Sequence, residues 1–383
     1  MKIYRSENVL DAAKRRIAWL FDEFPALVVA FSGGKDSTVV LNLAIEEARR
    51  RGRLPLPVMW IDQEAEWQMT RDYVRTQMDR PEVKPMWLQI PMVLANSTSS
   101  ADDWLHCWDV AAREDWIRPQ EPDSIKTNVY GTERFGELFD AVVAHHWKGQ
   151  KCAVLGGVRC EESPTRFAGL TSFATYKHVT WGKNLSGKKS GHYAFYPIYD
   201  WSYRDVWLAI HSHAWAYCKL YDAQYQHGIA IQDMRVSNVH HETAIGHLQY
   251  LQEVEPKTWN RLTRRLKGIN TVGQMKEDFT PKTLPPMFAS WVEYRDHLVQ
   301  NLITEPEQRA AFRKTFESLD RRYATMHHLE ALWKAQVQSI LGNDYHGTRL
   351  KNWENKPEIT AWRQHQAGKR HPLHAKNKHI TGK

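Results

Sequence analysis

The sequence predicts an α/β fold: a doubly wound, mostly parallel sheet followed by a C-terminal helical extension. Three observations carry this reading. Short apolar runs alternate with amphipathic helical segments as far as Val158, strand signals stop after about residue 235, and helical periodicity then continues alone.

Residues 10–24 place Leu10, Ala13, Ile17, Leu20, Phe21 and Phe24 on one helical face. After Pro25, the run Ala26 to Phe31 is short, valine-containing and closed by Ser-Gly-Gly, which reads as a buried strand. A helix near 37–51, a strand near Pro57 to Ile61, a helix near 66–79 and a strand near Met86 to Ile90 follow in alternation. A further helix, 134–147, leads to the run Cys152 to Val158, read as another strand, bounded by Gly156 and Gly157. Residues 96–133 are polar, Trp-containing and irregular, and are expected to be an insertion over the sheet edge acting as a lid or partner surface. Helical periodicity covers roughly 241–254, 256–267, 288–303, 305–325 and 327–341, broken at Pro256, Pro281, Pro285, Pro286 and Pro306. The expected division is an α/β domain over 1–235, a helical domain over 236–345 and a basic tail over 346–383. That tail shows no sustained apolar face and is expected to be extended, or to fold only on binding.

With 383 residues, 42% hydrophobic and 25% charged, the composition is that of an ordinary globular protein and excludes disordered and fibrous classes. No apolar run approaches the roughly 20 residues that span a bilayer, and MKIYRSENVLDAAKRR lacks the apolar region of a signal peptide. A cytoplasmic protein without membrane contact is therefore expected. Cys107, Cys152, Cys160 and Cys218 form no C-x-x-C pair, so neither zinc nor an iron–sulfur cluster is expected.

The net charge of +8 is unevenly placed. From His346 onward, nine Lys or Arg face only Glu354 and Glu358, so the tail holds seven of the eight excess charges. Arg349, Lys351, Arg363, Lys369 and Arg370, near Trp353 and Trp362, are candidates for nucleic-acid contact through phosphates and stacked bases. A solvated tail, or one docking on an acidic partner, explains the same charges.

The chemistry concentrates at Ser32-Gly33-Gly34-Lys35-Asp36-Ser37, set between a strand and a helix. Two glycines allow a tight turn and a close approach of the backbone, so amides and the helix N-terminus can face an anion. Position 29 is Val, which excludes a Walker A loop, and G-x-G-x-x-G is absent. The loop reads as a phosphate cradle.

S-G-G-K-D-S resembles the pyrophosphate loop of the N-type ATP pyrophosphatases, with their adenine nucleotide α-hydrolase-like fold. Trp60-Ile61-Asp62-Gln63-Glu64 resembles the acidic strand end by which that family meets nucleoside or metal, and implies roles for Asp62 and Glu64. Gly156-Gly157-Val158-Arg159-Cys160-Glu161-Glu162-Ser163-Pro164-Thr165-Arg166 resembles the G-x-R-x-x-E-S-x-x-R signature of the phosphoadenosine phosphosulfate (PAPS) reductase and sulfate adenylyltransferase branch. Tyr196 to Trp207 resembles its P-I-x-D-W-x-x-x-D-V-W segment, in which Asp200 and Ser202 can equally cap a helix. The resemblance implies ATP or PAPS as ligand and Mg2+ as cofactor, with Lys35, Asp36, Arg159 and Arg166 catalytic and Asp36 a metal ligand. Ser32, Gly33, Gly34, Ser37, Gly157, Glu162 and Ser163 join the nucleotide site on the same ground. Arginine forks beyond the carboxyl end of a parallel strand suit phosphate or sulfate oxygens independently of any family.

PAPS reductases carry a nucleophilic cysteine close to the C-terminus, whereas the last cysteine here is Cys218. An ATP pyrophosphatase or adenylyl-transfer enzyme is therefore expected, rather than a thiol-dependent reductase. Cys160, beside Arg159, is either a reactive thiol or an incidental small residue. Met234-Arg235-Val236-Ser237-Asn238, and Leu251 to Asn270 beyond it, resemble an extension found in the immunoglobulin-binding regulator A (IbrA-like) subgroup, which implies a ParB-like partner. The preferred expectation is ATP-dependent modification of a nucleic acid. A PAPS-binding protein without reductase activity, or a nucleotide-regulated nucleic-acid-binding or partner-binding regulator, are the alternatives.

Overall fold

A computed structural model describes residues 6–98, 104–185, 190–236, 238–240, 248–269, 283–303, 305–326, 329–342, 344 and 347–369. Asn8 starts α1 (Val9–Glu23) by accepting the Asp11 amide on its side chain, and the helix buries Ala13, Ile17, Leu20 and Phe21 along one stripe. After Pro25 comes β1 (Ala26–Ala30), buried along almost its whole length, and the Ser32–Ser37 loop then leads into α2 (Lys35–Arg50). The alternation continues through β2 (Leu56–Ile61), α3 (Gln68–Met78) and β3 (Val83–Leu88).

The 96–133 segment is a packed element. β4 (Met92–Ala95) and β5 (Trp104–Cys107) pair antiparallel, and Trp108, Ile117, Arg118 and Glu121 are buried. Then follow α4 (Phe135–His146), β6 (Cys152–Leu155), α5 (Pro164–Thr171), β7 (Gly182–Leu185), β8 (His192–Phe195), α6 (Tyr203–Ser212) and α7 (Leu220–Gln226). Apolar periodicity does not announce β7 and β8, which are four residues each and carry Lys183, Asn184 and His192.

Six strands form one sheet in the order β3-β2-β1-β6-β8-β7, parallel throughout except for β7 against β8. Val29 stands opposite Val58 on one side and Leu155 on the other. The chain runs outward from β1 through β2 to β3, then returns to β6 on the far side of β1. Strand order thus reverses beside β1, and the carboxyl ends of β1 and β6 border the crevice where doubly wound sheets take ligands. No helix among the described residues is long and apolar enough to cross a membrane.

Packing divides the chain into two units, Met1–Lys276 and Glu277–Lys383. Helices α8 (Leu248–Val254) and α9 (Pro256–Arg265) therefore belong with the sheet, beyond the boundary expected at residue 235. The Glu255 carboxylate caps α3 from outside, accepting the Gln68 and Met69 amides at 2.8 and 2.9 Å. Periodicity reveals an apolar face but not the core that face will meet.

The second unit contains helices over Trp291–Asn301, Pro306–Tyr323, Glu330–Leu341, Thr348–Glu354 and Pro357–Lys369. The last two correct the expectation of an extended tail. Leu350, Trp353 and Ile359 join Phe316, Tyr323, Leu332 and Ile340 in one core, with the Trp353 ring edge-on to Tyr323 at 5.0 Å. The first of these helices has only seven residues, and the second, opened by Pro357, carries few large apolar side chains, so neither displays an apolar stripe in the sequence. Trp353 is 4% exposed. Trp353→Ala in the full chain should lower stability by about 3 to 5 kcal/mol in urea unfolding, whereas a solvated tail would leave the curve unchanged.

Candidate functional site

Gly33 has φ +74°, and a Cβ there would lie 3.0 Å from methyls of both Thr70 and Val74. The turn at the start of the loop therefore requires glycine. The hydroxyls of Ser32 and Ser37 bridge the loop at 3.0 Å, and Ser37 and Thr38 both donate to the Gly34 carbonyl at 2.9 Å. The Lys35 amide donates to the hydroxyl of fully enclosed Tyr221 at 3.0 Å. The loop is thus a fixed turn over the N-terminus of a 16-residue helix, where the macrodipole favours anions.

Lys35 is 5% exposed. Its ammonium donates to the Met234 carbonyl at 3.1 Å and lies 3.5 Å from the Asp36 carboxylate. Burial pushes its pKa down, Asp36 opposes this, and the Arg159 and Arg235 charges lower it further. A buried cation at a helix N-terminus suits an anionic ligand better than a structural salt bridge.

Gly157 brings the loop after β6 against the same turn. A Cβ at this position would stand 2.6 Å from the Asp36 carbonyl carbon and from the Ser37 amide nitrogen, so the two backbones touch. Two residues on, Arg159 is 5% exposed; its Nε donates to Asp36 and its Nη1 to Glu161 at 3.0 Å. Glu162 lies 3.6 Å from Arg159 and pairs with Arg166. Arg166 is half exposed, and its pKa is lowered by partial burial and by the Arg235 charge. Lys35, Asp36, Arg159, Glu162 and Arg166 are therefore one cluster, while Ser163 caps α5 by accepting the Arg166 amide at 3.2 Å.

Other predicted residues are engaged with the protein. Asp200 forms a two-point pair with Arg16 at 2.7 Å, and Ser202 with Asp205 makes a capping box at α6, so this segment is structural. Asp62 is fully buried; one oxygen accepts from the Glu64 amide and Arg118, the other from Trp87 and Gln89. Glu64, also fully buried, is held by Arg265 of α9 and the Trp108 amide. Both carboxylates are thus engaged by donors of the protein itself.

Among the described residues no group of three His, Cys, Asp or Glu side chains is placed to hold a metal ion. Asp36, the expected magnesium ligand, already has one oxygen on Arg159 and the other beside Lys35. These residues do not fit a resident metal site. Burial raises the thiol pKa of Cys107, that of Cys152 to about 12 and that of Cys218 to about 11, so these three are poor thiolates. Cys160 is half-buried, and its amide donates to the Tyr199 carbonyl at 2.8 Å.

In the tail, Lys351 is exposed and Arg363 donates to the Glu354 carbonyl at 2.8 Å. The Arg349 amide is capped by Asp344 at 2.7 Å. Lys369 ends the last helix, and Arg370 lies outside the described residues. Trp353 is buried and Trp362 packs on the same core, which removes the expected base-stacking platform. Sequence reasoning missed Tyr221 and the Met234 carbonyl as partners of Lys35; the Met234-to-Asn238 resemblance was a signal for the second, and nothing in the sequence signalled the first.

Residues 26–228 match the phosphoadenosine phosphosulfate reductase domain, and residues 228–354 match a domain of unknown function, DUF3440. The uncharacterized protein YbdN of Escherichia coli K12 is 28% identical over 327 residues, 81% of this chain and 79% of that protein. Sulfate adenylyltransferase subunit 2 of Mycolicibacterium vanbaalenii is 62% identical over 40 residues, 10% of this chain and 13% of that protein. Among solved structures, Candida glabrata FMN adenylyltransferase has a TM-score of 0.35 at 12% identity, covering 57% of this chain and 62% of that one. Phosphoadenylyl-sulfate reductase of Candida auris has a TM-score of 0.33 at 17% identity, covering 58% and 93%. This chain spans less than two thirds of the adenylyltransferase and a small part of subunit 2.

Beside Asp62, Glu66 is 3% exposed, and burial, reinforced by the Asp62 charge, pushes its pKa up to about 8 from the ordinary 4.5. Between those values the folded protein keeps a proton that the unfolded chain releases, so this group's contribution to stability falls as pH rises from about 4.5 to about 8. Glu66→Gln should remove that slope. In urea unfolding, the variant should gain on the wild type steadily across this window, by up to a few kcal/mol at its upper end; parallel pH profiles would refute a buried, proton-retaining Glu66.

Proposed function

This chain belongs to the phosphoadenosine phosphosulfate reductase domain family, whose model covers residues 26–228, and on that premise we propose that it is an ATP-cleaving adenylyl-transfer enzyme. The Ser32–Ser37 loop takes the β and γ phosphates of ATP. An acceptor then attacks the α phosphorus: the acceptor–phosphorus bond forms, the bond to the bridging oxygen breaks, pyrophosphate leaves and the acceptor proton passes to solvent.

The observation that carries this reading is the contact of the two loops at the switch point. Gly157 abuts the Asp36–Ser37 peptide, and this holds the buried Lys35 and Arg159 at the amino end of α2. Charge develops on the leaving pyrophosphate, where a preorganised ammonium and helix N-terminus stabilise it most. Lys35 would exchange the Met234 carbonyl for a phosphate oxygen. Arg159 keeps Asp36 turned aside, so its carboxylate does not repel the incoming phosphates. Magnesium arrives with the nucleotide, whose oxygens supply most of its coordination. Cys107, Cys152 and Cys218 are buried, with raised pKa values, which disfavours these three as the nucleophile of a thiol-dependent reduction.

With magnesium and ATP, the wild-type protein should release AMP and pyrophosphate, and Lys35→Ala should slow that release roughly 100-fold or more. Release of ADP, or wild-type turnover by Lys35→Ala, would refute the proposal. Calorimetric binding of PAPS but not of ATP would assign the site to a 3′-phosphonucleotide instead.

A further inference from the structure

The segment after α7 lies against the anion loop. The Lys35 ammonium donates to the Met234 carbonyl at 3.1 Å, and a Cβ on Gly34 would stand 3.1 Å from a methyl of Val236. Arg235, between these two contacts, is clamped by one side chain. Its amide donates to the Gln224 carbonyl oxygen at 3.0 Å, and its own carbonyl accepts from the Gln224 amide nitrogen at 2.6 Å. Gln224 is fully buried. The backbone of residue 235 is thus fixed beside Gly34 and Lys35 while its side chain is exposed.

Among the described residues, the Arg235 guanidinium makes no hydrogen bond or ion pair. Its charge is nonetheless felt at the site, where it lowers the pKa of both Lys35 and Arg166. Like charges this close repel, and an anion placed among Lys35, Arg166 and Arg235 relieves that repulsion. An exposed arginine that merely kept the surface soluble would need no two-point clamp on a buried glutamine.

We propose that Arg235 is a ligand-contacting residue: its guanidinium takes an oxygen of the phosphates held by the Ser32–Ser37 loop. A residue beyond the 26–228 match then completes the anion site, which ties the second matched region to the chemistry of the first. The inference rests on reading that loop as a phosphate cradle.

Inorganic pyrophosphate is the probe, and calorimetry on the full chain is the measurement. Arg235→Ala should weaken binding at least tenfold and Arg235→Lys by less, because the charge survives without the planar fork. The melting temperature should not change, since the side chain is exposed. If Arg235→Ala does not fold, Arg235→Gln, which keeps much of the aliphatic stem, takes its place. Wild-type affinity in the Arg235 variants, with Lys35→Ala weakened, overturns this inference and leaves the loop reading intact. Wild-type affinity in Lys35→Ala, or no pyrophosphate binding by the unaltered protein, overturns both.

Discussion

The site depends on one steric constraint, the absence of a side chain at Gly157. With no Cβ there, the loop leaving β6 can press its backbone onto the Asp36–Ser37 peptide, where any other residue would place a carbon 2.6 Å from backbone atoms. Backbone cannot yield as a flexible side chain can, so a substitution must separate the two loops. Much follows from their contact. Arg159 leaves the β6 loop within reach of Asp36, Glu161 and Glu162 supply the carboxylates that make its burial tolerable, and Arg166 is carried to the rim. Sheet order does the rest, because β1 and β6 are neighbours only where the winding reverses.

A second charged cluster lies beyond β2, and it differs in kind. Asp62 and Glu64 are each met by an arginine and by further donors, so the acids are matched within the fold. Arg118 comes from the 96–133 segment and Arg265 from α9. These two ion pairs hold both accessory segments over the sheet, and removing either arginine would leave a buried carboxylate uncompensated. At the β1–β6 junction the balance tips the other way. There Lys35 shares the Asp36 carboxylate with Arg159, Arg159 and Arg166 share Glu162, and among the described residues the Arg235 guanidinium has no carboxylate of its own.

Most of the sheet was legible because its strands and helices have different apolar periods. The run Ala26 to Phe31 and the stripe of Ile17, Leu20 and Phe21 state their geometry in residue order. The Ser32–Ser37 loop was legible for another reason: glycine pairs before a helix satisfy a backbone demand that few sequences meet by chance. Asp62 shows the limit. A carboxylate after a strand reads the same whether it faces a nucleotide or an arginine 56 residues away, since its partner is fixed only by tertiary packing. Asp200 is the same case, its partner Arg16 lying 184 residues earlier. Strand β7 was hidden because an antiparallel edge strand with Lys183 and Asn184 lacks the apolar run of a central one.

Net charge misdirects attention for a related reason. The tail holds most of the excess cations, yet its tryptophans are core residues and Arg363 is tied to a backbone carbonyl of its own unit. The loop cluster adds almost nothing to the sum, because its cations stand among Asp36, Glu161 and Glu162. A formal count weighs every charge alike. An anion responds instead to the local field, which grows as water is removed and as opposing carboxylates are turned aside. Lys35, at 5% exposure with its neighbouring carboxylate held by Arg159, therefore outweighs the exposed Lys351 and Lys356 of the tail.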